Sequence, residues 1–278
     1  MKTALLQLSV SDDPEQNLQE TRRFLRIAVS EGARFILTPE VTNCITTDPA
    51  QRARVLHTEA ADPTLAALQA EARTHGIWVL IGSLALKTED AGGRLANRQF
   101  LIAPDGTIAA RYDKIHMFDV AIGPGETYQE SATYKAGTQA VVARMGDRTL
   151  GLGICYDMRF AHLASALVTA GAQVLLYPSA FSPVTGAAHW HALLRARAIE
   201  AGAWVLAPAQ VGHHAGSGRR TYGHSLVVDP WGTVICDLGA VPGYGIFDLE
   251  LAAVDDARRR IPVLQNKRQF DVPSPLGS

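Results

Sequence analysis

With 278 residues, 47% of them hydrophobic, the chain can bury either one large core or two average ones. Its 26 Lys and Arg against 27 Asp and Glu leave a formal net charge of −1, which gives no electrostatic footprint for nucleic acid or an anionic membrane and suits a small uncharged or singly charged substrate. Three cysteines (Cys44, Cys155, Cys236) without a Cys-x-x-Cys pair argue against a disulfide framework and against a thiolate zinc site. No Ser/Gly/Pro-rich linker interrupts the chain and no charge block exceeds Arg258-Arg-Arg260, so we expect a single domain over 1–278, with about 262–278 as a C-terminal tail. The N-terminus enters strand-like residues directly, without a basic segment and long apolar run, so a cytoplasmic protein is expected.

Residues 3–10 read as a core strand, and Ser11-Asp-Asp-Pro14 supplies a cap and first-turn proline for a helix reaching about Ser30 and stopped by Gly32. A strand at 35–38 ends in Pro39-Glu40. Thr46 to Asp48 can cap a short helix, and Asp62-Pro63 starts a clearer one that runs to His75 and closes at Gly76. Residues 77–86 form a strand, and 95–103 with 107–112 a hairpin around Pro104-Asp105-Gly106. From Lys114 to Gly137 the pattern loses its period, which predicts a functional loop carrying Lys114, Glu126 and Glu130. Strands at 140–144 and 148–154 lead to Cys155. A helix over 160–170, a strand at 173–177, a long helix over 187–201 and a strand at 203–209 continue the strand-helix rhythm. A Gly/His-rich loop (212–218), strands at 223–228, 233–238 and 244–249, and a helix at 251–260 complete the chain. Periodicity alone therefore predicts α/β with one large core.

Three short apolar runs end in chemistry. Thr149-Leu-Gly-Leu-Gly-Ile154 stops at a thiol, Phe35-Ile-Leu-Thr-Pro39 at a carboxylate, and Val174-Leu-Leu-Tyr-Pro178 at Ser179-Ala-Phe181. Pro39 and Pro178 each stop a strand, having no N–H for the ladder. Strand ends open into clefts beside helix N-termini, which favour negative charge such as a thiolate. Lys114 follows the hairpin.

Glu40, Lys114 and Cys155 in this order resemble the nitrilase (carbon-nitrogen hydrolase) superfamily. Thr-Pro-Glu40, Tyr-Asp-Lys-Ile-His-Met-Phe-Asp119, Gly-Ile-Cys-Tyr-Asp-Met-Arg-Phe160, Tyr-Pro-Ser-Ala-Phe181, Thr-Gly-Ala-Ala-His-Trp190 and Gly-His-Ser-Leu-Val-Val-Asp-Pro-Trp-Gly232 carry that resemblance across nearly the whole chain. It implies a four-layer α-β-β-α sandwich and a homodimer; no cofactor is expected, since no set of three or four ligands with metal spacing occurs in the sequence. It also implies a catalytic set in which Cys155 attacks the carbonyl carbon, Glu40 carries protons, and Lys114 with the Tyr156 backbone N–H holds the oxyanion. A second glutamate near the lysine is implied, assigned to Glu130 with Glu126 as the alternative. Within the superfamily the motifs look most like the branch holding ω-amidase and deaminated glutathione amidase, which hydrolyse the ω-amide of 2-oxo acids. N-carbamoyl amino acid or nitrile hydrolysis is the alternative, and a catalytically silent binding protein the reading from a different class.

A carboxylated substrate needs a cation apart from Lys114, and Arg159, Arg197 and the Arg219-Arg220 end of the Gly-rich loop are the candidates. Tyr156, Phe181 and His189 join Arg159 and Arg197 as expected substrate-binding residues. His189 and His191 lie at i, i+2 on different helix faces, so no metal pair is expected, and His213-His214 reads as solvated. Gly151-Leu-Gly153 opens a dinucleotide fingerprint that Tyr156 breaks.

Overall fold

The structure, a computed structural model, describes residues 1–123 and 126–271. In chain order the first half comprises β1 (Lys2–Gln7), α1 (Pro14–Ser30), β2 (Phe35–Leu37), α2 (Pro49–Val55), α3 (Pro63–His75), β3 (Trp78–Leu86), β4 (Ala96–Ile102), β5 (Ile108–Asp113), β6 (Asp119–Gly123) and β7 (Glu126–Gln129). The second half comprises β8 (Val141–Met145), β9 (Arg148–Leu152), α4 (Ala161–Thr169), β10 (Val174–Leu176), α5 (Pro183–Ala201), β11 (Trp204–Ala207), β12 (Val211–His213), β13 (Arg220–Tyr222), β14 (Leu226–Val228), β15 (Val234–Asp237), β16 (Gly243–Asp248) and α6 (Ala252–Arg260).

Local chemistry explains the helix ends. Asp13 accepts the Glu15 and Gln16 N–H groups at 3.0 and 3.3 Å ahead of Pro14, and Asp62 accepts that of Leu65 at 2.8 Å ahead of Pro63. Gly76 closes α3 in the left-handed conformation (φ 62°).

Two six-stranded sheets form, ordered β16-β1-β2-β3-β4-β5 and β15-β14-β11-β10-β9-β8. In the first, alternate side chains divide between two cores, as the period of two requires. Ala4, Leu6, Ile36, Val79 and Ile81 belong with Phe24, Leu25 and Leu68 of α1 and α3, whereas Leu5, Leu37, Leu80 and Leu101 belong with Leu152, Leu175 and Leu206 of the second sheet. Burial on both faces is why these strands read as unbroken apolar runs. With α4 and α5 packed on the far side of the second sheet, the layers run α-β-β-α as the resemblance implied.

Some readings change. Residues 114–137 are not structureless: β6 and β7 pair as a two-stranded ribbon whose residues alternate between exposed and half-buried, so no apolar period announced it. Residues 124–125 of that segment, like 272–278 of the expected tail, lie outside the described residues. Helix α5 starts four residues before the expected 187, with Pro183 in its first turn. His214 is buried rather than solvated, its ring nitrogens 2.7 Å from the Val10 carbonyl and from Thr221 Oγ1, and burial holds its pKa down at about 4. Cys155 itself opens a short 3₁₀ turn (Cys155–Arg159), after which α4 runs over Ala161–Thr169, within one residue of the expected 160–170.

Candidate active site

The loops that follow β2, β5, β9 and β10 meet where the two sheets face each other. After β2, the Thr38-Pro39-Glu40 turn lies against Gly82 of β3 so closely that a Cβ there would be 2.1 Å from the Thr38 carbonyl. Ser83 Oγ accepts the Val41 N–H at 2.8 Å. Only glycine allows this approach, which sets the height of Glu40. After β5, the Lys114 backbone is pinned between Asn97 (N–H to O, 3.0 Å) and Gly137 (2.7 Å). After β9, Cys155 takes φ 49°, held by its N–H donating to the Pro178 carbonyl at 2.9 Å. Asp157, fully buried, accepts from the Ile154 N–H (2.9 Å), Tyr112 OH (2.6 Å), and both the N–H and Nδ1 of His116 (3.0 and 2.7 Å). Those four bonds over-determine a turn that an L-residue adopts reluctantly.

Lys114 Nζ stands at the centre. It lies 2.9 Å from Glu40 Oε1, and 2.9 and 2.8 Å from the two carboxylate oxygens of Glu130. Asn97 Nδ2 donates to Glu40 Oε1 at 2.8 Å and Glu130 Oε1 at 3.3 Å, the Ala180 N–H donates to Glu40 Oε2 at 2.8 Å, and the Phe118 N–H donates to Glu130 Oε2 at 2.7 Å. Glu126 points elsewhere, accepting from Tyr128 OH at 3.0 Å and Ser182 Oγ at 2.8 Å.

Burial decides the protonation states. Glu40, Lys114 and Cys155 are 4%, 2% and 6% exposed. Burial pushes the Glu40 carboxyl upward, but the charge and hydrogen bond of Lys114, with Asn97 and Arg219, carry it below its ordinary value. Burial works against the charge of Lys114, yet Glu130 and then Glu40 raise its pKa well above the usual range. For Cys155, burial followed by the Glu40 charge pushes the thiol up to about 12, against the pull of Lys114. The resting site therefore pairs a neutral thiol with an ionised carboxylate, rather than the thiolate that a strand-end position beside a helix suggested.

A cavity of about 300 Å³ opens over these groups. Phe118, Tyr128, Tyr134 and Phe181 form apolar parts of its wall, and Arg52 and Arg219 bring cations to it. Arg219 Nη2 donates to the Ala180 carbonyl at 2.5 Å, and its guanidinium lies 5.7 Å from the Tyr128 ring centre. Of the residues expected to meet substrate, Phe181 and the candidate cation Arg219 are on this wall, whereas Tyr156, Arg159, His189 and Arg197 are not. Tyr156 packs behind Phe118, with ring centres 5.0 Å apart. The Arg159 guanidinium lies 5.3 Å from the Phe181 ring, its Nη atoms 3.3 Å from His189 Nδ1, and burial lowers its pKa although Cys155 opposes this. Arg197 serves the fold: Nε donates to the Met158 carbonyl at 2.7 Å, Nη2 to that of Arg159 at 3.2 Å, and Nη1 to Glu200. Each of its three nitrogens is engaged in this way, and Arg197 supports the Cys155 turn rather than lining the cavity. Asn97 and Arg52 escaped sequence reasoning because each reaches the site from an element with no motif of its own, and the Ala180 N–H because the Tyr-Pro-Ser-Ala-Phe181 motif does not show which backbone group donates to Glu40.

Residues 2–259 match the model of the family described as carbon-nitrogen hydrolase. The chain is 37% identical over 266 residues to the deaminated glutathione amidase of Synechocystis sp., covering 95% of this chain and 97% of that one. It superposes on the C. elegans NitFhit protein with a TM-score of 0.89 at 34% identity, covering 96% of this chain but 65% of that longer one. It also superposes on an amidase of Nesterenkonia sp. AN1 bearing acrylamide on its active-site cysteine, with a TM-score of 0.76 at 28% identity over 94% of this chain and 98% of that chain. A family match across nearly all of its length, joined to a glutamate, a lysine and a thiol at one cavity, makes this chain a carbon-nitrogen hydrolase of the nitrilase superfamily, an enzyme that cleaves amides.

Proposed function

We propose that the chain hydrolyses the ω-amide of a 2-oxo dicarboxylic acid, free or within a deaminated glutathione-like peptide, through a thioester on Cys155. The observation that carries this is the Glu40-Lys114-Glu130 cluster beside a neutral thiol, under a cavity that also presents arginine. Glu40 takes the Cys155 proton as sulfur attacks the carbonyl carbon, then passes that proton to the nitrogen as the C–N bond breaks and the amine departs. Glu40 next takes a proton from water, whose oxygen attacks the thioester, and the departing sulfur recovers its proton. Lys114 faces the developing oxyanion together with the Tyr156 N–H, which lies in the first turn of a 3₁₀ helix, where N–H groups lack intrahelical partners.

Glu130 enters this scheme as the residue that orients Lys114, since both its oxygens bind Nζ. Glu130→Gln is therefore expected to lower kcat by about 10- to 100-fold, while leaving a detectable acyl-enzyme in quenched samples, because Glu40 still pairs with the ammonium. Unchanged kcat would remove Glu130 from the machinery.

Substrate choice follows from charge. Arg219 and Arg52 on the wall, with half-buried Arg159 against Phe181, favour a substrate whose far end is a carboxylate. A charge-assisted contact of about 1.5–3 kcal/mol corresponds to roughly a ten- to hundredfold preference in kcat/KM over a neutral amide of equal length. A panel of 2-oxoglutaramate, deaminated glutathione, N-carbamoyl amino acids and simple nitriles tests this. Equal kcat/KM for carboxylated and neutral members would sink the substrate assignment and leave the thiol mechanism standing.

We also propose a cytoplasmic homodimer. The three cysteines are unpaired thiols, which a reducing compartment preserves, and no described helix is long and apolar enough to cross a membrane. Half-exposed Ile199 of α5, Trp231 and Ile261 supply apolar surface for a second copy. Sedimentation at micromolar concentration should show a dimer, and an active monomer would contradict it.

A further inference from the structure

Among the described residues, three that are not glycine take positive φ: Val41 (48°), Cys155 (49°) and His224 (56°). Val41 follows Glu40, and Cys155 bears the thiol, but His224 lies outside the catalytic cavity. A strained residue kept outside the active site calls for a reason of its own. Its N–H donates to the Gly239 carbonyl at 2.7 Å, its carbonyl accepts from Trp190 Nε1 at 2.8 Å, and its ring stacks on Tyr222 with centres 4.4 Å apart. The conformation aims Nδ1 at Asp237, 2.9 Å from Oδ1 and 3.1 Å from Oδ2. From α5, His191 brings Nε2 to 2.9 Å from Asp237 Oδ2. One donor atom from each of these three residues falls within 4.8 Å of the others.

We propose that His191, His224 and Asp237 form a binding site for a divalent transition-metal ion of the zinc class, separate from the catalytic centre. Two imidazole nitrogens and one carboxylate are the donors that Zn²⁺, Co²⁺ and Ni²⁺ accept, whereas Mg²⁺ and Ca²⁺ seek all-oxygen sets. Metal bonds of about 2.0–2.1 Å place neighbouring ligand atoms roughly 2.9–3.4 Å apart. Both His–Asp edges already have that length, and the His–His edge is no longer than 4.8 Å. The side chains are 37%, 26% and 31% exposed for His191, His224 and Asp237, leaving solvent access for an ion and its remaining water ligands. On binding, each ring presents a lone pair where it now faces Asp237, with its proton on the other nitrogen. The Gly239 N–H, 2.9 Å from Asp237 Oδ1, stays to orient the carboxylate. The ion would tie α5 to the end of β15. Because α5 carries Trp190, whose ring centre lies 5.0 Å from that of Phe181, the tie supports one wall of the cavity without entering the chemistry.

The test uses the full chain carrying Cys155→Ser, which removes the competing catalytic thiol, titrated with ZnCl₂ in a calorimeter and melted with and without the ion. The site predicts saturable binding of one equivalent and a Tm raised by a few degrees at saturation. His191→Ala and Asp237→Asn should each weaken binding at least tenfold, and neither needs the positive φ of His224. No saturable binding, or binding unaltered by both substitutions, would overturn the proposal and leave the trio a hydrogen-bonded clamp. In the enzyme with its thiol intact, EDTA should lower Tm while leaving kcat unchanged. Turnover that is lost on chelation and restored by zinc would contradict a site separate from catalysis.

Discussion

Cys155→Ser is expected to fold, melt within a few degrees of the wild type, and hydrolyse the amide more than about 10⁴-fold more slowly. The size of the loss follows from the electrostatics of the site. The thiol is already pushed up to about 12 by burial and the Glu40 charge, and a hydroxyl, a far weaker acid, meets the same obstacles. Folding should survive because the turn is held by groups other than the thiol: the Cys155 N–H on Pro178, and Asp157 on Ile154, Tyr112 and His116. Turnover within about tenfold of wild type would remove Cys155 as nucleophile. A collapsed Tm would instead show that the thiol holds the fold.

Glu40→Gln should come next in severity, lowering kcat by about 10²–10⁴-fold because both acylation and deacylation lose their proton carrier. The amide can still accept the Ala180 N–H, and Glu130 still neutralises Lys114, so the chain should remain folded. The pH profile gives an independent check. Glu40 is held below its ordinary value of 4.5, so wild-type kcat/KM should persist through weakly acidic conditions and fall only as the pH drops through that depressed value. On the alkaline side the thiol should not limit activity until about pH 12. The same depression means that ionised Glu40 contributes stability above its unfolded pKa, and that this contribution is lost as pH falls through the folded one. An acid limb near neutrality in the wild type, or a Glu40→Gln enzyme of normal rate, would assign proton transfer to another group.

Much of this was legible because Glu40 and Cys155 each follow a strand whose last residues are buried on both faces. Glu40 after Pro39 and Cys155 after Ile154 mark abrupt ends of apolar runs, and the motifs around them carry the family resemblance that implied their roles and the two-sheet layering. Other features were hidden for physical reasons. The β6–β7 ribbon buries neither face fully, so it leaves no periodic signal, although it delivers Glu130 to Lys114. Asn97 looks like any polar residue in a strand, and only the pairing of β4 with its neighbours aims it at two carboxylates. Arg197 and Arg219 were equally basic on paper, but Arg197 is consumed by two carbonyls and Glu200, while Arg219 reaches the cavity wall. The trio His191, His224 and Asp237 comes from α5, the loop between β13 and β14, and the end of β15, and reading His191 only against His189 could not find it.

On the proposed mechanism the acyl group passes through a thioester on Cys155. Mixing enzyme with carboxylated ω-amide, quenching in acid within the first turnover and weighing the intact chain tests it directly. A mass gain equal to the acyl half of the substrate is expected, mapped by digestion to the peptide containing Cys155 and removed by hydroxylamine. Full turnover with no adduct at any quench time, or an adduct mapped to another residue, would contradict it.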